Sequence, residues 1–473
     1  MPRRQRDRPR RRPDRPRRRR VLLLLPTTTY KAQDFLDAAD RLGIETVVGS
    51  ETRQALQDIA PGHTVTLDLG HPARAAAQIT RFAATRRLDA VIPTDDQSAI
   101  VAAAAARRLG LPHNPPAAAL AARHKDQMRR RLAIARVPQP RFHLLRLPAA
   151  TGAGRATTAS GRAGLVAGDL DAVLRRAAAR QTYPCVLKPT SLAASRGVIR
   201  ADDTEAFVAA ARRIVAILDD VEQTGAGSAS AAPPPAAVRR LLIEEYIPGL
   251  EVAVEGLLRR GRLRMLALFD KPDPLEGPYF EETIYVTPSR LSAATQRVVE
   301  RTTAAAARAL GLRDGPVHAE LRIPPPSPGA RPAAGARPEK ASSPRVIEIA
   351  ARSIGGLCAR ALRFGTGLSL EDVVLLHATG RNVARLRRER AAAGVMMIPI
   401  PRAGVLRDIH DIAAARRVPG VRAITISATL GKPITPLPEG HAYLGFIFAR
   451  GRTPAAVESA LRAAHRRLRI VID

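Results

Sequence analysis

The residues best suited to chemistry lie in short islands between positions 183 and 352. In Tyr183-Pro184-Cys185-Val186-Leu187-Lys188-Pro189 an apolar strand delivers one ammonium, and Pro189 ends the ladder. A loop later stands Ser195-Arg196-Gly197-Val198. A strand ending in Lys, a Ser/Gly turn and a second strand can fold over phosphate with backbone N–H groups aimed at the anion, although many ordinary strands end in Lys-Pro. The run Leu241–Glu251 is another apolar strand, closed by Glu244-Glu245-Tyr246-Ile247, a Pro-Gly turn and Glu251. Acids beside a turn are ordinarily solvated. His318-Ala319-Glu320-Leu321-Arg322 and Val346-Ile347-Glu348-Ile349-Ala350-Ala351-Arg352 each put a Glu inside an alternating apolar strand. A carboxylate on the covered face of a sheet must be paired or bound to a cation. Two on adjacent strands suit magnesium, which takes a few carboxylates together with substrate phosphates. Each alone reads equally as an outward-facing strand residue; finding both, with His318 and Arg352 beside them, favours the metal.

These islands need elements to hold them. Residues 21–25 read as a buried strand, followed by a helix from Ala32 to Leu42 that Gly43 closes as a left-handed cap. Strand-like runs recur at Glu45–Val48, Thr64–Leu69 and Asp89–Pro93, with Ala-rich helical stretches such as Ala99–Leu109 among them. That alternation implies a parallel, doubly wound sheet. Thr27–Thr29 and Asp95-Asp96 fall at carboxyl ends of strands, where open α/β sheets bind ligands, but turn chemistry and helix capping explain them better. Residues 150–168, 223–237 and 324–344 lack apolar periodicity and read as flexible insertions. From about 395, the strands Gly394–Ile400, Val421–Ser427 and Tyr443–Phe448 and the helix Pro454–Leu468 make a small α+β domain. The boundaries expected are a disordered tail over 1–20, then domains over 21–115, 116–378 and 379–473.

Composition narrows the class. The chain has 473 residues, 45% of them apolar and only 3% aromatic. Its two cysteines, Cys185 and Cys358, make neither a CxxC pair nor a disulfide framework, which suits a reducing cytoplasm. The formal charge is +33, and the twelve Arg against Asp7 and Asp14 in residues 1–20 supply +10 of it. Such a tail can contact nucleic acid nonspecifically, but it reads better as a solvated extension. No stretch reaches the ~20 apolar residues of a membrane span, and the run after Arg20 is too short for a signal peptide. The expected location is the cytoplasm. Against seventy Arg there are six Lys, at 31, 125, 188, 271, 340 and 432. An Arg-biased chain keeps Lys where a compact, mobile ammonium serves better than a planar fork.

In this order and spacing the islands resemble the ATP-grasp superfamily of carboxylate–amine ligases, over nearly the whole chain from Val21 to Asp473, and above all the bacterial L-amino-acid ligases that make dipeptides. The resemblance implies a Rossmann-like N-terminal domain, a two-part ATP-grasp core and a small C-terminal domain, an α/β and α+β fold. It implies ATP and Mg2+ as cofactors, with Mn2+ as an alternative metal. Lys125, in His124-Lys125-Asp126, and Lys188 would reach the phosphates under a loop that includes Ser195, Arg196 and Gly197. Glu244, Glu245, Tyr246 and Ile247 match the hinge that reads adenine largely through backbone groups, and Glu251 the acid on the ribose. Glu320 and Glu348 match the metal ligands, and Arg352 the arginine facing the transferred phosphoryl group. Gly355 and Gly356 would shape the acceptor end of the site. Phe269-Asp270-Lys271-Pro272, Glu281-Glu282-Thr283 and His318 would lie near the substrate. Ile398-Pro399-Ile400-Pro401 and Tyr443-Leu444-Gly445-Phe446 resemble the small closing domain.

Two departures stand out. Many relatives carry Asn where this chain has Ala350, which removes one oxygen ligand and leaves the number of metals open. The loop Thr190–Ser195 lacks the usual extra glycines. The implied reaction is amide formation between a small-molecule carboxylate and an amine, chiefly amino acids, through an acyl phosphate. A homodimer is compatible with it. The alternatives are a ligase of a purine or cofactor intermediate, and a non-catalytic nucleotide-binding protein whose basic tail binds nucleic acid.

Overall fold

The structure is a computed structural model that describes residues 18–26, 29, 31–53, 62–147, 169–224, 239–325 and 343–473. The first seventeen residues of the basic tail, Thr27, Thr28, Lys340 and nearly all of the three insertion-like segments lie outside the described residues. The first strand, Arg20–Leu24, starts one residue earlier than the apolar run. Arg20, assigned from sequence to the solvated tail, pairs with Glu45 at 2.7 Å, and Arg19 with Asp89 at 3.1 Å.

The N-terminal sheet has four parallel strands in the order Thr64–Thr66, Glu45–Ser50, Arg20–Leu24, Ala90–Pro93. The helix Ala32–Leu42 covers one face through Phe35, Ala38 and Ala39, and ends at Gly43 with φ 65°. The helix Asp96–Arg108 begins where the sequence places a cap: Asp95 accepts the Ser98 N–H, and the Ser98 hydroxyl completes the capping box. Its alanines let it sink between sheet and neighbouring helices, so that nine of its residues are buried.

The remaining residues form two antiparallel sheets that face each other across a cleft, and a small three-stranded sheet. The smaller facing sheet orders Phe142–Arg146, Arg240–Glu245, Cys185–Pro189 and Ile199–Ala201. The larger has eight strands: Arg345–Ala350, Gly315–Ile323, Leu250–Arg259, Arg262–Lys271, Ile284–Thr287, Ala392–Ile398, Gly445–Gly451 and Val421–Ile426. Three C-terminal strands, Ala392–Ile398, Gly445–Gly451 and Val421–Ile426, thus extend the central sheet, while Pro433–Ile434, Gly404–His410 and Arg469–Ile472 form the three-stranded one. The interior strand Ile284–Thr287 pairs antiparallel with Arg262–Lys271 on one side and with Ala392–Ile398 on the other, and so joins the two parts of the sheet. Leu406 on Gly404–His410, in the three-stranded sheet, packs into the core beneath these strands.

One apolar cluster joins all three regions. It holds Val21, Leu23 and Phe35 from the N-terminal sheet and helix, Phe269 and Tyr285 from the central sheet, and Phe446 and Phe448 from the C-terminal strands. Each such side chain contributes about 1.5–3 kcal/mol when fully buried, which fixes the N-terminal domain against the core.

Candidate active site

The cleft between the two facing sheets is lined by Lys125, Lys188, Ser195, Glu244–Ile247, Glu251, Glu282, Glu320, Arg322 and Glu348. Local rules bring these residues there. Lys188 is next to last in the fully buried strand Cys185–Pro189. Lys125 opens the helix Lys125–Ile134, and its Nζ donates to the Leu192 carbonyl at 2.7 Å, under the loop that follows Lys188. Burial lowers the Lys125 ammonium below its ordinary value, against the pull of Glu348 3.8 Å away. In that loop Ala194 and Ser195 have φ of 54° and 55°, and Gly197 of 68°. Two non-glycine residues therefore hold left-handed conformations, at roughly 1–3 kcal/mol each. Ser195 faces the cleft. Arg196 does not: its guanidinium turns to Asp220 at 3.1 Å.

Glu244, part of a hinge expected to act largely through its backbone, is buried between two cations. It accepts from Lys188 Nζ at 2.7 Å and from Arg129 Nε. Burial by itself would raise this carboxyl; the charges of Arg129 and Lys188 outweigh it and hold the pKa at about 2. Arg129 also donates to the Val346 and Ile347 carbonyls at 2.9 and 2.7 Å, so one buried guanidinium ties the two sheets together. Sequence reasoning missed it. The Tyr246 N–H is committed to the Pro184 carbonyl at 3.1 Å, and the Ile247 carbonyl to Arg322 at 2.8 Å, which narrows the backbone groups the hinge can offer a base. Tyr246 and Phe280 stack at 6.4 Å between centroids, with Arg322 over both rings. Glu245 lies at the rim and pairs with Arg141.

Glu320 and Glu348 are direct cross-strand partners in the register of the two end strands. Glu348 is about one third exposed. Glu320 sits 3.4 Å from His318 Nε2 and 3.5 Å from Lys271 Nζ. Burial would raise the Glu320 carboxyl, but Lys271 and His318 hold it well below the usual carboxylate range. Two carboxylates on adjacent strands, open to the cleft that holds both lysines, form a donor set that fits Mg2+ with phosphate oxygens completing its shell. Ala350, two residues on, is 2% exposed and supplies no oxygen.

Lys271 and Glu282 come together as the sequence grouped them, and Glu251, matched there to the acid on the ribose, joins them in a second knot. Carboxylate oxygens of Glu251, Glu282 and Glu320 lie within 4.8 Å of one another. The Lys271 ammonium already sits among them, bonded to Glu251 at 2.7 Å and to Glu282. Arg322 holds the other Glu251 oxygen at 2.7 Å. Burial and then the Glu320 charge push Glu282 up, and Tyr285 donates to it at 2.8 Å. His318 bridges Glu320 and the fully buried Glu255, whose Oε2 also accepts the Ile354 N–H at 3.1 Å.

Arg352 reaches the N-terminal domain. Its Nη2 pairs with Asp96 at 3.0 Å, and the two charges keep the guanidinium protonated despite burial. Asp95 is thus the cap and Asp96 the partner of Arg352, a division the sequence left open. Gly355 has open space around it. At Gly356, φ is 56° and a Cβ would stand 2.9 Å from the Phe446 ring, so only glycine lets the C-terminal strand approach.

Comparison with known proteins gives this arrangement its class. Residues 181–328 match the ATP-grasp domain, and residues 36–113 the ATP-grasp N-terminal domain. The chain thus carries an ATP-grasp N-terminal domain and an ATP-grasp domain. Its last residues, 396–473, match the L-amino acid ligase C-terminal domain 2, so it carries the closing domain of that branch. The fold is that of L-amino acid ligase from Bacillus licheniformis, with a TM-score of 0.70 at 22% identity over 97% of this chain and 99% of that one. It is also that of an Aspergillus clavatus carboxyaminoimidazole ribonucleotide synthase solved with ATP, with a TM-score of 0.64 at 16% identity over 96% and 99% of the two chains. At such identities the likeness concerns the fold alone. Chicken carnosine synthase 1 is 30% identical over 243 residues, 51% of this chain. The chain spans about a quarter of that relative's length, 24%. Among the described residues no helix is long and apolar enough to cross a membrane.

Proposed function

We propose that the protein is an ATP-dependent carboxylate–amine ligase that joins two amino acids, or an amino acid and a related amine, through an acyl phosphate. The observation that carries this reading is the convergence on one cleft of Lys125 and Lys188 with the cross-strand pair Glu320 and Glu348. The carboxylate of one substrate attacks the γ-phosphoryl group of ATP, giving an acyl phosphate and ADP. The amine of the second attacks the acyl carbon, phosphate leaves, and the amide remains.

Lys125 and Lys188 hold the phosphates, and the turn around Ser195 covers them. Arg352, kept protonated by Asp96, faces the developing charge on the transferred phosphoryl group. Mg2+ held by Glu320, Glu348 and the phosphates would neutralise charge on the oxygens being transferred. Glu282, pushed towards its neutral form and held from the core by the Tyr285 hydroxyl, lines the substrate side of the cleft, where an α-ammonium or a carboxylate would find a partner. The match of residues 396–473 and the likeness of half the chain to a carnosine synthase support amino acids as substrates.

The test is ADP release from MgATP with every pair of the twenty amino acids, followed by mass spectrometry. Release that needs two particular amino acids, with a product lighter than their sum by one water, supports the reading. ATP binding with no ADP from any pair rejects amino acids as the substrates and sends the search to other carboxylates and amines.

A further inference from the structure

Lys31 stands immediately before the helix Ala32–Leu42 and is 4% exposed, an ammonium buried between the N-terminal domain and the core. Its Nζ donates to the Ser353 carbonyl at 3.2 Å and to Ser353 Oγ at 3.1 Å. The Arg352 Nη1 donates to that same carbonyl at 3.0 Å, so the two cations share one oxygen. Packing alone would favour an apolar residue here, because a buried ammonium costs desolvation that its hydrogen bonds only partly return. The neighbouring backbone is fixed as well: Ile354 N–H is held by Glu255 at 3.1 Å. The described lysines point the same way. Lys125, Lys188 and Lys271 are buried at the cleft, Lys31 is buried behind Arg352, and Lys432 is exposed.

We infer that Lys31 is a positioning residue for Arg352: it anchors Ser353 from the N-terminal domain and, through the shared carbonyl, holds the guanidinium in its aim at the transferred phosphoryl group. Asp96 pulls the same guanidinium from the helix Asp96–Arg108, so the N-terminal domain grips Arg352 by two routes. The inference rests on the role of Arg352 proposed above.

The groups around Lys31 favour a readable consequence. Burial, then the charge of Arg352, lowers its pKa to about 8, while Glu255, Glu371 on the helix Leu370–Ala378 and Asp96 pull upward. The fully charged donor is present below that value and is lost as pH rises through it.

With a substrate pair in hand, Lys31→Met is expected to lower kcat on the order of 10- to 100-fold, the cost of a misplaced catalytic group, with the KM for ATP within about twofold. The wild type is expected to show an alkaline fall in kcat centred near pH 8. Lys31→Arg, which stays charged, keeps most of kcat and loses that fall. A readout independent of turnover is the Arg352 side-chain Nε–H resonance, assigned with Arg352→Lys and expected to shift in Lys31→Met. An unmoved resonance, or Lys31→Met with wild-type kcat and pH profile, overturns the inference. A shifted resonance in a protein that releases no ADP with any carboxylate–amine pair supports the positioning and overturns the ligase reading instead.

Discussion

Replacing Arg129 by Met probes the contact on which the cleft depends. Arg129 is completely buried and holds Glu244, the Val346 carbonyl and the Ile347 carbonyl. Its loss leaves Glu244 with Lys188 alone and two strand carbonyls short of a donor. Breaking a buried pair by removing one partner costs about 3–5 kcal/mol. The titration of Glu244 gives an independent figure. Its depression from 4.5 to about 2, which Arg129 and Lys188 produce together, corresponds at ~1.4 kcal/mol per unit to about 3.5 kcal/mol, an upper bound on the share of Arg129. The sign follows from the depression: this stability is fully present above pH 4.5 and is lost as pH falls towards 2. Urea unfolding followed by circular dichroism, with ATP affinity measured alongside, makes the comparison. Arg129→Met is expected to be less stable by about 3–5 kcal/mol at pH 7, with the gap from wild type narrowing below pH 4. Adding Glu244→Gln should cost less than the sum of the single changes, because both remove one interaction. A loss below about 1 kcal/mol at pH 7, or strict additivity, would refute the account of Arg129 as the tie between the sheets.

Two further outcomes test the chemistry. Lys188→Ala is expected to keep the fold, since Glu244 retains Arg129, and to cut ADP formation by about 10²–10³-fold, as loss of a donor to developing charge does; undiminished ADP release with unchanged circular dichroism would remove Lys188 from the phosphate site. Glu348→Gln, at a position about one third exposed with little packing to lose, should leave stability within about 0.5 kcal/mol and raise the Mg2+ concentration needed for half-maximal activity. An unchanged Mg2+ requirement would count against Glu348 as a ligand.

Most of the local architecture could be read from pattern. The strand–helix alternation over 20–108 is explicit in apolar runs, and Gly43, Asp95 and Gly197 mark a cap, a cap and a turn through chemistry that acts within a few residues. The islands around Lys188, Glu244, Glu320 and Glu348 were legible because the cleft needs a charged residue inside each buried strand. Side-chain direction was not legible. Arg196 lies between two residues of the phosphate turn, yet it points to Asp220, and nothing in the order of residues says so.

What the sequence by itself determined, then, is the inventory: which strands are buried, where charges interrupt them, and where the chain turns. Those features follow from periodicity and backbone preference, which are local. Only the tertiary structure decided the pairing of those charges across 100 residues or more: Arg129 with Glu244, Arg352 with Asp96, Lys31 with Ser353. It also decided that three of the C-terminal strands continue the central sheet while the other three form a sheet of their own. An ion pair or a sheet edge is specified by geometry in space, and a chain with seventy arginines offers too many partners for order alone to choose.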